Sequence, residues 1–261
     1  IMGKAVGKPV HKLLGGAYQT RVPAYISILM PSTPEEVKKL VDYHMKENYL
    51  GIKFGWGDLG KSFENDLRLV KAAREALGPD KYLMIDIAMA WTDYKVALKN
   101  CKAFEEYNVF WIEEPFRVER SKDFAKLRNA VNTNITAGEE LFHIDEFRKY
   151  IDDGCVDILQ PDISRCGGLT VARKVRDLAY NAGIPIVPHN FKSGLLMSAT
   201  LQFIATLPNA LFLEYCGQET VLSRNLITEP ITVKNGMVDI PDAPGFGVEL
   251  DWETLNKYRV S

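Results

Sequence analysis

Asp86, Glu113, Glu139, Asp162, His189 and Glu214 recur about every 25 residues along the chain, and each falls at or just past the end of a short β-rich run. In a barrel of alternating strands and helices such ends converge on one face, the face that carries active sites. Asp86, Glu113 and Glu139 would come from three consecutive strands. Carboxylates held side by side repel one another, which raises their pKa values or demands a cation. Hard oxygen donors with room left for water and substrate suit Mg²⁺. Any one of the three could be a helix N-cap or a surface ion-pair partner, but three in register argue for a metal site. Asp162 and His189 lie on the next two runs, and a carboxylate beside an imidazole orients the ring and raises its basicity. A lone histidine is more often hydrogen-bonded for structure; this one follows Val187-Pro188 at a strand end and has an acidic neighbour one strand back. Lys53, in Gly51-Ile52-Lys53-Phe54, brings a positive charge to the same mouth. Three carboxylates, Mg²⁺ and Lys53 sum to zero charge before an anionic substrate arrives. A cation 4 Å from an anion is worth about 4 kcal/mol at an effective dielectric of 20, so Lys53 is expected to help hold a substrate carboxylate.

The elements that must position these groups alternate between strand and helix. The expected strands are Val22 to Ile28, Gly51 to Phe54, Tyr82 to Ile87, Val109 to Glu113, Ile135 to Glu139, Asp157 to Gln160, Ile184 to His189 and Leu211 to Tyr215. Eight strands suffice to close a barrel. Thr33-Pro34-Glu35-Glu36 reads as a capping box with proline at the first helical position, followed by Val37, Leu40, Val41, His44 and Met45 on one face. After Gly168, Val171, Ala172, Val175, Leu178, Ala179 and Ala182 make a second apolar stripe before Gly183-Ile184-Pro185 returns the chain to a strand. The fold class is therefore α/β with a parallel sheet and helices outside it.

Size and composition agree with this. A chain of 261 residues matches the roughly 250 residues of one such barrel. Hydrophobic residues at 46% and charged residues at 25% are ordinary for a globular protein. No apolar run reaches the roughly 18 residues that span a bilayer. Net charge of −2 gives no electrostatic footprint for nucleic acid or an anionic membrane, which leaves a small molecule as the expected partner. The cysteines, Cys101, Cys155, Cys166 and Cys216, are irregularly spaced and suggest neither a zinc ribbon nor a disulfide framework. Reduced thiols and a cytoplasmic location are the expectation. Residues 1–18 read as the end of an upstream capping domain and a connector, 19–216 as the catalytic barrel, and 217–261, rich in Pro, Gly and Asp without a clear eighth helix, as a segment packing back toward that cap.

The motifs Ile85-Asp86, Trp111-Ile112-Glu113-Glu114-Pro115, Ala137-Gly138-Glu139-Glu140, Gln160-Pro161-Asp162 followed by Cys166-Gly167-Gly168-Leu169-Thr170, Pro188-His189 and Leu213-Glu214-Tyr215 together resemble the mandelate racemase subgroup of the enolase superfamily. The resemblance extends to the Gly15-Gly16 connector and the Pro244-Gly245-Phe246-Gly247 tail. It implies a modified TIM barrel, (β/α)₇β, closed by an N-terminal α+β capping domain largely missing from this chain. It further implies Mg²⁺ held by Asp86, Glu113 and Glu139, a general-base dyad of Asp162 and His189, Glu214 as a neutral acid that hydrogen-bonds an enolate, and assembly as a homo-oligomer.

The chain departs from the racemase pattern at Gly55, which stands where racemases of this type carry a second lysine in Lys-x-Lys, and at Ala88, where a polar residue is usual. Glu114 and Glu140 read as structural rather than ligating. With one base visible, His189 would take the α-proton of a carboxylate and then serve as the acid that expels a β-hydroxyl. The expected reaction is dehydration of a sugar acid to a 2-keto-3-deoxy acid, ahead of racemisation or epimerisation of a 2-hydroxy acid. A barrel glycosidase also uses two strand-end carboxylates but has no need of a metal triad. An inactive sugar-acid binder is opposed by the intact acid/base set.

Overall fold

The structure, a computed structural model, describes residues 1–260. Its strands are β1 (Arg21–Leu29), β2 (Gly51–Gly55), β3 (Tyr82–Asp86), β4 (Val109–Glu113), β5 (Asn134–Ala137), β6 (Ile158–Leu159), β7 (Leu213–Cys216) and β8 (Met237–Asp239). The sheet runs β6-β5-β4-β3-β2-β1-β7 with every neighbouring pair parallel, and β8 joins β1 antiparallel. Helices return the chain between successive strands on the outer face, as right-handed βαβ units require. The chain is thus an α/β protein with a curled parallel sheet of TIM-barrel type.

Local chemistry sets the helix starts. Thr33 accepts from the Glu36 amide with Pro34 in the first helical position of Pro34–His44; Ser62 caps Phe63–Leu77 through the Asn65 amide; Asp93 caps Tyr94–Glu105 through the Lys95 amide. Each cap satisfies a donor that the first turn cannot pair internally.

Two expectations differ from the structure. The run Ile184 to His189 forms only a bridge, Ile186 to Leu159. Pro185 and Pro188 have no amide to donate, so the contact rests on Leu159 donating to the Pro185 carbonyl and Val187 to the Leu159 carbonyl. Asn190 closes the remaining gap, donating its amide to Glu214 Oε2 at 2.7 Å and its side chain to the Glu214 carbonyl at 3.1 Å. The tail is also more structured than its composition suggests. It contains helix Val221–Arg224, then β8 paired with Arg21, Val22 and Pro23, then helix Trp252–Lys257, while Gly245 bridges to Pro9. No helix among the described residues is long and apolar enough to cross a membrane.

Apolar residues form two bodies, divided by the alternation of strand side chains. One lies between sheet and helices and includes Ile52, Phe54, Leu83, Ile85, Ile112 and Phe203. The other fills the barrel and consists of Tyr25, Met84, Trp111, Ile158, Val187 and Phe212. Burying a large apolar side chain stabilises by about 1.5–3 kcal/mol, so this inner plug is a firm floor. Two residues beyond each plug member, on the same inward face, stand Ser27, Asp86, Glu113, Gln160, His189 and Glu214, all buried.

Candidate active site

The period of two therefore lifts a charged layer directly above an apolar one. Loops after the strands turn sharply there: Trp56, Ala88, Met89 and Glu114 all adopt positive φ without being glycine, a strained state that the surrounding structure must impose. The Ala88 amide donates to Asp86 Oδ1 at 2.8 Å and fixes that carboxylate at the strand end. A cavity of about 220 Å³ opens over the layer, lined among others by Lys53, Asp86, Glu139, His189, Lys192 and Glu214.

Lys53 is the centre of one half of the site. It is 2% exposed, and its Nζ lies 2.5 Å from Glu113 Oε1 and 2.8 Å from Glu214 Oε1. Burial alone would lower the ammonium; the two carboxylates outweigh it and hold its pKa well above the usual range. Glu113 Oε2 accepts from Trp111 Nε1 at 3.1 Å and from Gln160 Nε2 at 2.8 Å, so the carboxylate is gripped from three sides. Burial nevertheless raises its pKa, as do Glu214 and Glu139. Asp86 is raised well above the usual range by burial first and by Glu113 second. Asp86 and Glu113 are register partners across β3 and β4.

Glu214, expected as a neutral acid, has contacts in this arrangement that favour its charged form: burial opposes the charge, but Lys53, His189 and the Asn190 amide together pull its pKa down to about 2. The Lys53 contact to Oε1 is ionic without hydrogen-bond alignment, and that buried oxygen has no donor of its own.

The other half is built on His189. Its Nδ1 lies 2.9 Å from Asp162 Oδ2 and its Nε2 2.9 Å from Glu139 Oε2. Burial would lower the imidazole, yet Glu214, Asp162 and Glu139 raise it to about 10. Asp162 is fully buried; burial works against its charge, but hydrogen bonds from His189, Ser164 and Lys192 hold it well below the usual carboxylate range. Burial also opposes the charge of Glu139, which His189 pulls below its ordinary value.

The structure brings Asp86, Glu113 and Glu139 to one mouth, but as they stand Glu113 is turned to Lys53 and Glu139 to His189. Among the described residues no three His, Cys, Asp or Glu side chains close on a common point. The donor set nevertheless fits a hard divalent cation: carboxylate oxygens from three adjacent strands, two of them raised by burial and by neighbouring carboxylates, a burden a cation would relieve. Glu114 braces the site from behind, its Oε1 accepting from the Gly138 amide at 2.8 Å, and Glu140 pairs with Arg165. At Gly55 an added Cβ would lie 2.7 Å from Asp86 Oδ2, so the space of a second strand lysine is filled by the carboxylate.

The strand-end rhythm does not single out Trp111, Gln160, Arg165 or Lys192. Trp111 and Gln160 share the inward phase of their strands with Glu113 and could be found by that phase; Arg165 and Lys192 sit on loops, where no periodicity points to them.

Residues 35–254 match the family described as Enolase C-terminal domain-like. The D-galactarolactone cycloisomerase of Agrobacterium fabrum is 30% identical, covering all of this chain and 71% of its own length. The arabinonate dehydratase of Saccharolobus solfataricus is 30% identical over 99% of this chain and 69% of its own. Among solved structures, the mandelate racemase/muconate lactonizing protein of Paracoccus denitrificans PD1222, complexed with magnesium, superposes with a TM-score of 0.89 at 27% identity, covering 98% of this chain and 71% of that one.

Proposed function

Because the chain belongs to the enolase C-terminal domain-like family, we propose that it abstracts the proton next to a carboxylate with the help of Mg²⁺, and that its reaction is dehydration of a sugar acid to a 2-keto-3-deoxy acid. The observation that carries this reading is His189, whose Nδ1 is fixed by Asp162 and whose ring lines a cavity shared with Lys53 and Asp86. Mg²⁺ bound by Asp86, Glu113 and Glu139 would neutralise the negative charge that develops on the carboxylate as the proton leaves.

The residues of the chain divide the remaining work. Lys53, bonded to Glu113 and Glu214, offers a preorganised positive charge to the substrate carboxylate, and such preorganisation favours the dianionic transition state. His189 takes the α-proton at Nε2 as the neutral imidazole, the form it would reach once Glu139, which helps hold the ring protonated, turns from it to the cation, and Asp162 holds the ring in the required orientation. Gly55 offers no base across the cavity, which favours elimination on one face over inversion of a stereocentre. Similarity to an arabinonate dehydratase supports a polyhydroxy acid as substrate.

Screening the full chain with Mg²⁺ against five- and six-carbon aldonates, reading 2-keto acid formation, tests the proposal. Activity should vanish with EDTA and return with Mg²⁺. His189→Asn should abolish turnover and exchange of the α-proton with D₂O; exchange that persists in the variant would assign the base elsewhere.

A further inference from the structure

We propose that Lys192 is the general acid of the elimination step, delivering a proton to the departing β-hydroxyl from the same face on which His189 takes the α-proton. The inference rests on the dehydratase reading above and divides between two residues what a single histidine would otherwise do in turn.

Lys192 stands three residues beyond His189, just before helix Gly194–Ile204. Its Nζ donates to Asp162 Oδ2 at 3.0 Å and to Ser164 Oγ at 2.8 Å. The oxygen it touches on Asp162 is the one that also receives His189 Nδ1 at 2.9 Å. Two proton carriers are thus moored to one carboxylate oxygen, on the wall formed by β6 and the Ile186 bridge. Both line the cavity, and their shared mooring has them approach a molecule held there from the side of that wall.

Counting donors decides what Lys192 has left to give. A lysine ammonium has three N–H groups and no acceptor. Two are spent on Asp162 and Ser164; the third is free, and the side chain is 39% exposed and lines the cavity. Lys53 also lines the cavity, but at 2% exposure and with its ammonium between two carboxylates it is placed to hold charge rather than to give up a proton. Asp162 is fully buried and holds the Lys192 ammonium in place, which satisfies the positional demand on an acid that must meet a leaving group.

The Cα–H bond breaks, its proton passing to His189 Nε2 and its electron pair into the carboxylate as an enediolate. That pair returns to form the Cα–Cβ double bond while the Cβ–O bond breaks. The departing oxygen carries away the bonding pair, takes a proton from Lys192 Nζ and leaves as water. On ketonisation the new enol loses its hydroxyl proton, which restores Lys192 through solvent, and C3 gains the proton held by His189. The sum is one sugar acid converted to one 2-keto-3-deoxy acid and one water, with both residues returned to their starting state.

Separating exchange from elimination tests the proposal. The full chain with Mg²⁺ is incubated in D₂O with a panel of pentonates and hexonates, following deuterium at C2 of recovered substrate by NMR and 2-keto acid by colour assay. In Lys192→Met, elimination should fall at least about 100-fold, the lower range for a lost general acid, while C2 exchange stays within about threefold of wild type. Lys192→Arg keeps the charge and the bonds to Asp162 but cannot give up a proton, and should show the same split. Equal loss of exchange and elimination in Lys192→Met would assign Lys192 to holding Asp162, and elimination restored by arginine would assign it to charge; either result overturns the proposal. A wild-type protein that neither exchanges nor eliminates on any sugar would instead sink the dehydratase reading, and this step with it.

Discussion

Replacing Lys53 by methionine should cost the protein about 3–5 kcal/mol of stability in the absence of divalent cation. Methionine keeps most of the stem volume and removes the charge, so the loss is electrostatic rather than a cavity. The ammonium lies 2.5 Å from one carboxylate and 2.8 Å from another, with Glu113 1% and Glu214 0% exposed. Removing one partner of a buried pair leaves an uncompensated buried charge, and that is where the figure of about 3–5 kcal/mol comes from. Here two carboxylates are left facing each other. A surface pair gives the scale of the opposite case: Lys71 sits 3.9 Å from Glu75 with both half exposed, and Lys71→Met should change stability by no more than about 0.5 kcal/mol. Urea unfolding followed by tryptophan fluorescence, at constant m-value, measures both. Mg²⁺ at about 100 times its dissociation constant stabilises the native state by about 2.7 kcal/mol, and in Lys53→Met it would add to this by supplying the cation Glu113 has lost. A Lys53→Met loss below about 1 kcal/mol, or one that Mg²⁺ leaves untouched while it stabilises wild type, would refute the account of Lys53 as the charge that balances Glu113 and Glu214.

Burial lifts the Asp66 carboxyl from 3.8 to about 6 against the pull of the Gly60 amide. The folded state therefore binds this proton more tightly than the unfolded one; the stability it gives is complete below about pH 3.8 and is lost as pH rises through about 6. Asp66→Asn should accordingly gain in Tm over wild type as pH goes from 4 to 8, and a constant difference across that range would count against it. Gly57 has φ +59°, and an added Cβ would sit 2.0 Å from the Met30 carbonyl oxygen, so Gly57→Ala should destabilise by more than about 1 kcal/mol, read from the urea midpoint; an unchanged midpoint would show the loop is free to move. Phe203 is fully buried in helix Gly194–Ile204, and Phe203→Ala should cost about 3–5 kcal/mol by the same unfolding measurement, with a loss under about 1 kcal/mol contradicting its place in the core.

What the sequence exposes is what repeats over short distances. Asp86, Glu113, His189 and Glu214 could be found because each sits two residues past an apolar residue of the inner plug, Met84, Trp111, Val187 and Phe212, and a strand repeats every two residues. The Pro34–His44 helix is equally visible, since its cap and its apolar face obey the helical period. Helix Gly194–Ile204 is different. All its residues but Leu195 are buried, so there is no polar face to contrast with an apolar one, and periodicity carries no signal. The segment Ile184 to His189 shows the reverse error: its apolar pattern promises a strand, but its two prolines remove the amides that would make one.

Charge state is the part a sequence hides most completely, because it depends on contacts between distant positions. Glu214 looks the same in sequence whether neutral or ionised. Its charged form is favoured here because Lys53, more than 150 residues earlier, reaches it from β2, and because Asn190 turns its amide toward the other oxygen. Similarly, nothing in Phe191-Lys192-Ser193 sets Lys192 apart from a surface lysine until Asp162 and Ser164 are found beneath it. The strands place the reacting groups by local rule, while the loops and the long-range ion pairs decide which of them carry protons.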